Sequence, residues 1–314
     1  MKKSLIALAV MAASGAAFAA TSNVDVGGQI RISANKANNG GKLTLVDQGS
    51  RLNITGSEDL GGGLKAFYHA EWNIDAADGV ESTTGSFTTR QTYVGVQGAF
   101  GKVLTGKAYA PYKLIGSASV FEDTAADSQG DIVGVGHDAA YSQALAYISP
   151  DFNNAHIAVA YTNAGTTSVA VTDSMSAVAV YANGPLKASY GYESQGAATL
   201  ASNKNVANKL NVSYKMGDVG MGYTYEKIDV ANGTTSDKKA QIASLTYGMG
   251  PITLAAQYGT LNVNNGVTGD IKRTTVGGIY ALSKRTNMAL AFSSNKANDV
   301  TKTDTTTVQL NHSF

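Results

Sequence analysis

The side chains that most often do chemistry are scarce or badly spaced in this sequence. The chain has no cysteine and four histidines, so thiolate nucleophiles and cysteine-ligated zinc are excluded. The histidines are His69, His137, His156 and His312, and no two have the i, i+4 spacing of a helical metal site. His69 and Glu71 share a strand face, but no activated serine motif accompanies them. The sequence therefore predicts no enzyme, no metal centre and no bound cofactor.

Charged side chains supply two sets of candidate residues, one basic and one acidic. The basic candidates are Arg31, Arg51, Lys65, Arg90 and Lys107. The acidic candidates are Glu71, Glu122, Asp123, Asp127 and Asp131. The run from 122 to 131 lacks the Asp-x-Asp-x-Asp-Gly order of a calcium loop. The 24 Lys and Arg nearly balance the 23 Asp and Glu, so no basic field indicates a nucleic-acid partner.

The first nineteen residues have the pattern of a secretory signal peptide. A positive Met1-Lys2-Lys3 start precedes an apolar stretch and an Ala17-Phe18-Ala19 cleavage sequence. We expect residues 1–19 to be removed on export and residues 20–314 to form one domain. No later run reaches the ~18 apolar residues of a transmembrane helix. A membrane-spanning fold would therefore have to be a closed barrel, which satisfies its backbone polar groups internally.

The rest of the chain alternates polar and apolar residues with a period of two, which is typical of β-strands. In 208–216, for example, Leu210, Val212 and Tyr214 alternate with polar residues. Segment 87–98 is less regular, because Val94 and Val96 fall on the face expected to be polar. Charged residues are only 15% of the chain, against about 25% in an ordinary soluble domain.

Sixteen segments show this alternation, and most have the ~9–11 residues that a tilted membrane strand needs. They lie near 24–34, 43–56, 63–75, 87–98, 101–109, 138–149, 155–163, 175–183, 186–195, 207–216, 219–229, 239–249, 252–263, 272–283, 286–296 and 304–314. The connections between them alternate short and long, and the longest, 110–137, is the third long one. This rhythm predicts an all-β, sixteen-stranded antiparallel transmembrane barrel with short turns at one rim and long loops at the other. A soluble β-sandwich is the alternative, although it would carry more charge on its outer face.

Several stretches resemble Gram-negative general porins. SRLNITGSEDLGGGLKAFYHAE at 50–71 and TRQTYVGVQGAFGKVLTGKAYAPY at 89–112 look like early strands of that family. The stretch that starts at Tyr147 resembles the family's Tyr-x-Ser-Pro-x-Phe turn, and YALSKRTNM at 280–288 a late hairpin. The final Phe314 is similar to the terminal signal that the barrel-assembly machinery reads in these porins.

The resemblance implies a homotrimer in the outer membrane, in contact with its lipid and lipopolysaccharide, that passes ions and small hydrophilic solutes. It also implies that the third external loop, here 110–137, folds into the lumen. Residues similar in place to Arg51, Arg90 and Lys107 form the family's basic ladder. We expect the five basic candidates to line one side of a pore constriction, and Glu71 with the four loop acids to supply its negative charge. Loop 76–86 is expected to latch over a neighbouring subunit.

Two departures from the family pattern concern pore charge. Gln29 stands where many members carry a lysine, and Arg31 has the same parity and can substitute for it. His137 follows the third loop where the family usually has an arginine. A neutral, hydrogen-bonding His137 is the favoured interpretation, and a pore charge that varies with pH is the alternative.

A substrate-specific channel and a surface adhesin or receptor are the alternative roles. A substrate-specific outer-membrane channel would show a row of aromatic side chains in the lumen, whereas most tyrosines here have lipid-facing parity. The long loops would also suit a surface adhesin or receptor. The balance of basic wall and acidic loop leaves the preference between anions and cations undecided.

Overall fold

A computed structural model describes residues 22–77, 87–137, 140–163, 173–196, 204–230, 237–263, 269–298 and 301–314. The predicted signal peptide, 1–19, and residues 78–86 of the predicted latching loop lie outside these ranges. The strands of the described residues are β1 (Ser22–Ala37), β2 (Thr44–Asp47), β3 (Arg51–Gly61), β4 (Leu64–Ile74), β5 (Phe87–Gly98), β6 (Gly101–Tyr109), β7 (Ala140–Ile148), β8 (Ala155–Thr162), β9 (Ser174–Asn183), β10 (Leu186–Gly196), β11 (Lys204–Met216), β12 (Val219–Asp229), β13 (Lys238–Met249), β14 (Ile252–Val263), β15 (Ile271–Ala281), β16 (Thr286–Ala297) and β17 (Thr301–Ser313). One short helix, α1 (Pro111–Leu114), follows β6. Across these ranges, no helix is both long and apolar enough to cross a membrane.

The strands form one antiparallel sheet that closes on itself. Each strand from β3 to β16 pairs with the next one in sequence, and β1 pairs with both β17 and the β2–β3 pair. β2 and β3 follow each other along β1 and together occupy one strand position of the barrel wall, here called a stave. The seventeen described strands therefore form the predicted sixteen staves. The closed all-β fold is therefore confirmed, and closure gives each stave of the described residues a partner on both sides.

The second stave is broken, although the sequence predicts one continuous strand over 43–56. Gly49 takes a positive φ of 78°, a conformation that favours glycine. The Asp47 carboxylate accepts the backbone N–H groups of Gly49 at 2.9 Å and Ser50 at 3.2 Å. These bonds replace part of the strand ladder at the break, so the interruption has local polar partners.

The two faces of the barrel wall differ as the alternation predicts. On β12 the outward side chains of Met221, Tyr223 and Tyr225 are exposed, whereas the inward Thr224 and Glu226 are buried. Large exposed apolar side chains recur at alternate positions of most other strands. An apolar exterior on a closed barrel is the surface that lipid requires.

A β-bulge explains the irregular pattern of segment 87–98. Glu71 of β4 is opposite Gln91, but the next residue, Trp72, is opposite Thr89. Arg90 is the extra residue, and the bulge reverses the parity of the strand on either side of it. Arg90 therefore points inward although Val94, at the same parity, is exposed on the outer face.

The last residue closes the barrel against the first strand. Phe314 and Gly28 exchange two backbone hydrogen bonds, of 3.0 and 3.1 Å. The Phe314 ring occupies the space that a Cβ at Gly28 would need. Any larger residue at position 28 would therefore clash with the ring and with the Arg51 carbonyl of β3.

Residues 110–137, here called the inner loop, run through the barrel interior, as predicted for the third long connection. The loop contacts β9 through Tyr112, whose backbone N–H donates to Ser176 Oγ at 2.8 Å. It reaches β14 through Val120, whose N–H donates to Gln257 Oε1 at 2.7 Å. Near Asp123 it meets β17, where Gln309 Nε2 donates to the Asp123 carbonyl. Contacts on strands this far apart place the loop across the interior.

Candidate functional site

Three charged residues on neighbouring strands form a compact group, here called the Glu71 cluster (Arg51, Glu71 and Arg90). Arg90 Nε donates to Glu71 Oε1 at 2.9 Å, and Arg51 Nε lies 3.5 Å from Glu71 Oε2. Glu71 is buried between them, while both arginine side chains remain partly exposed. With two arginines to one carboxylate, the cluster carries a net positive charge on the inner face of β3, β4 and β5.

The Arg90 guanidinium is held by three different partners. Besides Glu71, it donates from Nη1 to Asn73 Oδ1 at 2.8 Å and from Nη2 to the Tyr109 hydroxyl at 2.5 Å. Three partners fix the planar fork in one orientation. The Arg51 side chain is 28% exposed, against 20% for Arg90, so its charge is the more accessible one.

Arg31 connects the barrel wall to the inner loop. Its Nη1 donates to the Asp123 carboxylate, and the same atom lies 3.5 Å from the Gln48 carbonyl at the break in the second stave. Gln29 is buried two residues earlier, where Nε2 donates to the Gly49 carbonyl at 3.4 Å. Arg31 thus contributes the charge that Gln29 lacks at this level of the barrel.

The four loop acids have different surroundings. Asp127 faces its own loop, where it accepts from the Ser119 hydroxyl at 2.7 Å and the Asp123 N–H at 2.8 Å. Asp131 pairs with Arg273 of β15 at 2.8 Å. Glu122 keeps contact with solvent, but the protein around it partly desolvates the carboxyl group. This desolvation raises its pKa, and the nearby Asp127 and Asp123 charges raise it further. Desolvation likewise raises the pKa of Asp127.

The structure does not bring Lys65 and Lys107 into the Glu71 cluster. Lys65 lies six residues before Glu71 on β4, about 20 Å along the strand, beside the turn at Gly62. Lys107 sits at a second bulge in β6, and its Nζ donates to the Thr89 carbonyl at 2.6 Å. Of the five basic candidates, only Arg31, Arg51 and Arg90 have contacts with acidic groups among the described residues.

The opposite wall holds the inner loop with buried charged groups. Glu226 of β12 accepts the Tyr112 hydroxyl at 2.6 Å and the Gly134 N–H at 2.7 Å. Lys209 of β11 is buried with its Nζ 4.3 Å from the centre of the Tyr112 ring. These groups tie both ends of the loop to the same pair of strands.

His137 belongs to this anchoring region and not to an exposed pore surface. It is buried, and its Nδ1 lies 2.8 Å from Glu193 Oε2 of β10. Glu193 also accepts the Tyr141 hydroxyl at 2.8 Å and the Gln195 amide at 2.9 Å. The hydrogen-bonding interpretation of His137 therefore agrees with the geometry.

Sequence reasoning did not single out Arg273 and Glu193 as candidates. Both lie at inward parity on their strands, so the same alternation that selected Arg51 would have selected them. The part of the chain that the structure describes contains no group of three potential metal ligands.

Comparisons with known proteins agree with this architecture. Residues 5–300 match the model of the Gram-negative porin family. Outer membrane porin protein 32 of Delftia acidovorans is 32% identical over 249 residues, which cover 69% of this chain and 67% of that protein. Major outer membrane protein P.IB of Neisseria meningitidis serogroup B is 32% identical over 163 residues, 48% of this chain and 46% of that protein.

A solved structure shows the same fold. The anion-selective porin from Comamonas acidovorans superposes with a TM-score of 0.78 at 20% identity, covering 93% of this chain and all of that one. The family match, the relatives and the closed sixteen-stave barrel lead to one assignment. The chain belongs to the Gram-negative porin family, and it is a multi-pass β-barrel of the outer membrane rather than an enzyme.

Proposed function

We propose that the barrel is a general diffusion channel: a passive, water-filled path for ions and small hydrophilic solutes. A barrel of sixteen staves is too wide for its own side chains to fill, so water occupies the remaining interior. The observation that carries the proposal is the inner loop, which crosses the interior and brings Asp123 to Arg31. The crossing loop narrows the path at the level where the wall is basic.

The charges at this level support a charged constriction. The Glu71 cluster and Arg31 lie on one side. Asp123 of the loop pairs with Arg31, and the neighbouring Glu122 is close enough to interact with the Arg31 charge. Fixed charges of opposite sign across a narrow gap create a transverse field. Such a field orients dipolar solutes and disfavours apolar ones, which lose hydration and gain no charged partner.

The assembly that the family resemblance implies is part of the proposal. We infer a homotrimer surrounded by outer-membrane lipid and lipopolysaccharide, with Phe314 read by the barrel-assembly machinery. Gel migration in detergent before and after heating tests the trimer. A species that migrates as a monomer without heating would contradict it.

Planar-bilayer recording tests the channel itself. Purified protein added to a lipid film should produce discrete current steps that grow in proportion to the KCl concentration, as expected for bulk-like ions in a wide aqueous path. Protein unfolded by heat before addition is the control and should give no steps. Folded protein that raises no current would overturn the proposal, while the barrel fold would stand.

A further inference from the structure

Three ring side chains lie together on the inner face of β4 and β5. His69 is opposite Tyr93 across the two strands, and their rings stack with centroids 5.1 Å apart. Phe67 meets the edge of Tyr93 at 6.4 Å in a T-shaped contact. All three have the inward parity of Glu71, whereas the adjacent Tyr68 is exposed on the outer face. This group of Phe67, His69 and Tyr93 is here called the aromatic shelf.

Packing against the barrel wall holds the rings of the aromatic shelf in place. Phe67 lies over the backbone at Gly95, where a Cβ would clash with its ring. Phe67 and Tyr93 both pack against buried Leu104 and the small residues around it on β6 and β7. Both rings are still only half-buried, so part of each ring remains open to the interior. Rigid rings lose little conformational freedom when a ligand binds.

Polar groups border the shelf on both sides. A concavity over the rings is also lined by Thr55, Gln97, Lys102 and one carboxylate, that of Asp25. Toward the C-terminal end of β4, Glu71 follows His69 by two residues, about 7 Å along the strand. Arg51 and Arg90 pair with Glu71 there. Ring faces beside an excess of positive charge match one kind of solute: a planar ring attached to an anionic group.

We propose that the aromatic shelf is a binding subsite for small aromatic carboxylates on the wall of the channel. The ring of the solute lies against Tyr93 and Phe67, and its carboxylate meets the arginines of the Glu71 cluster. The subsite rests on the proposed channel function, because solutes reach it only through the open interior. It adds a preference among solutes that size and charge alone would not give.

Block of single-channel current tests the subsite in the wild-type protein. Benzoate, cyclohexanecarboxylate and acetate carry the same charge, but only benzoate has a flat aromatic face. Benzoate should block with an apparent Kd about threefold to tenfold lower than cyclohexanecarboxylate, as expected for one added ring contact. Equal block by benzoate and cyclohexanecarboxylate would overturn the inference while leaving the channel function intact. No current at all would overturn both.

Three variants locate the effect. Tyr93→Leu should abolish the preference for benzoate, and Tyr93→Phe should keep it because the ring remains. Tyr223→Leu is the control, since it removes a ring from the outer face of β12, away from the shelf, and it should also keep the preference. A Tyr93→Leu channel that still prefers benzoate would overturn the placement on the shelf. The wild-type comparison decides the question if Tyr93→Leu fails to assemble.

Discussion

The two sides of this barrel carry similar charged residues in different surroundings. On β10, β12 and β15, Glu193, Glu226 and Arg273 are buried beneath the inner loop and bonded to it. On β3 and β5, Arg51 and Arg90 remain partly exposed to the interior. The first set holds the loop and the second faces the path beside it. Inward parity alone does not separate these roles, and contact with the loop does.

The largest effect should come from removing a buried anchor. Glu226→Ala leaves the Tyr112 hydroxyl and the Gly134 N–H without their acceptor, so the free energy of unfolding should fall by about 3 kcal/mol. Loss of the heat-resistant band on a detergent gel at a lower temperature measures this. The matched control is Glu58→Ala, an exposed glutamate on β3, which should leave that temperature unchanged. Equal stability of the two variants would remove Glu226 from the anchor.

Charge reversal on the open side should change selectivity and leave the fold intact. Arg51→Glu places a second carboxylate beside Glu71, which favours cations in the path. The permeability ratio of cations to anions should rise by about threefold or more. The reversal potential across a bilayer with a salt gradient measures it. Arg285→Glu, at an exposed turn, is the control, and an equal shift in both variants would contradict a role specific to Arg51.

Acidification should shift selectivity in the opposite direction. Because their pKa values are raised, Glu122 and Asp127 bind protons at a higher pH than ordinary carboxyl groups do. Lowering the pH from 7 toward about 5 should therefore remove negative charge from the loop and shift the reversal potential toward anions. Glu122→Gln should show part of this shift already at pH 7 and a weaker dependence on pH. The same pH dependence in wild type and variant would exclude Glu122.

The smallest effect is expected at Lys65. It lies far from the loop along β4, and salt screens charges beyond about 10 Å at 0.1 M. Lys65→Ala should shift the reversal potential much less than Arg51→Ala does under the same gradient. A shift of equal size would mean that Lys65 contributes to the constriction, as the sequence predicts.

Much of the fold follows from the sequence because alternation is a local property. Parity assigns Arg51 and Glu71 to the interior correctly, and loop length identifies 110–137 as the inserted segment. Parity fails where the backbone gains a residue: the bulge at Arg90 makes Val94 look misplaced, and Gly49 interrupts a strand that seems continuous. Neither feature has a signature in the alternation itself.

The contacts of the inner loop cannot be predicted from the alternation of polar and apolar residues. The pairing of Asp123 with Arg31 and of Asp131 with Arg273 depends on how an irregular segment crosses the interior. Sequence composition treats Glu122 and Asp127 alike, yet one is exposed and the other is bonded within the loop. Only the path of the backbone distinguishes them.

The bonds between Phe314 and Gly28 join groups that lie 286 positions apart. Contacts with so large a sequence separation form late, because the entropy of closing such a long segment must be overcome first. A nascent chain that is still missing its final residues retains two open strand edges, which are sites for aggregation. Synthesis of β17 therefore precedes closure of the barrel, and the two open edges need protection until then.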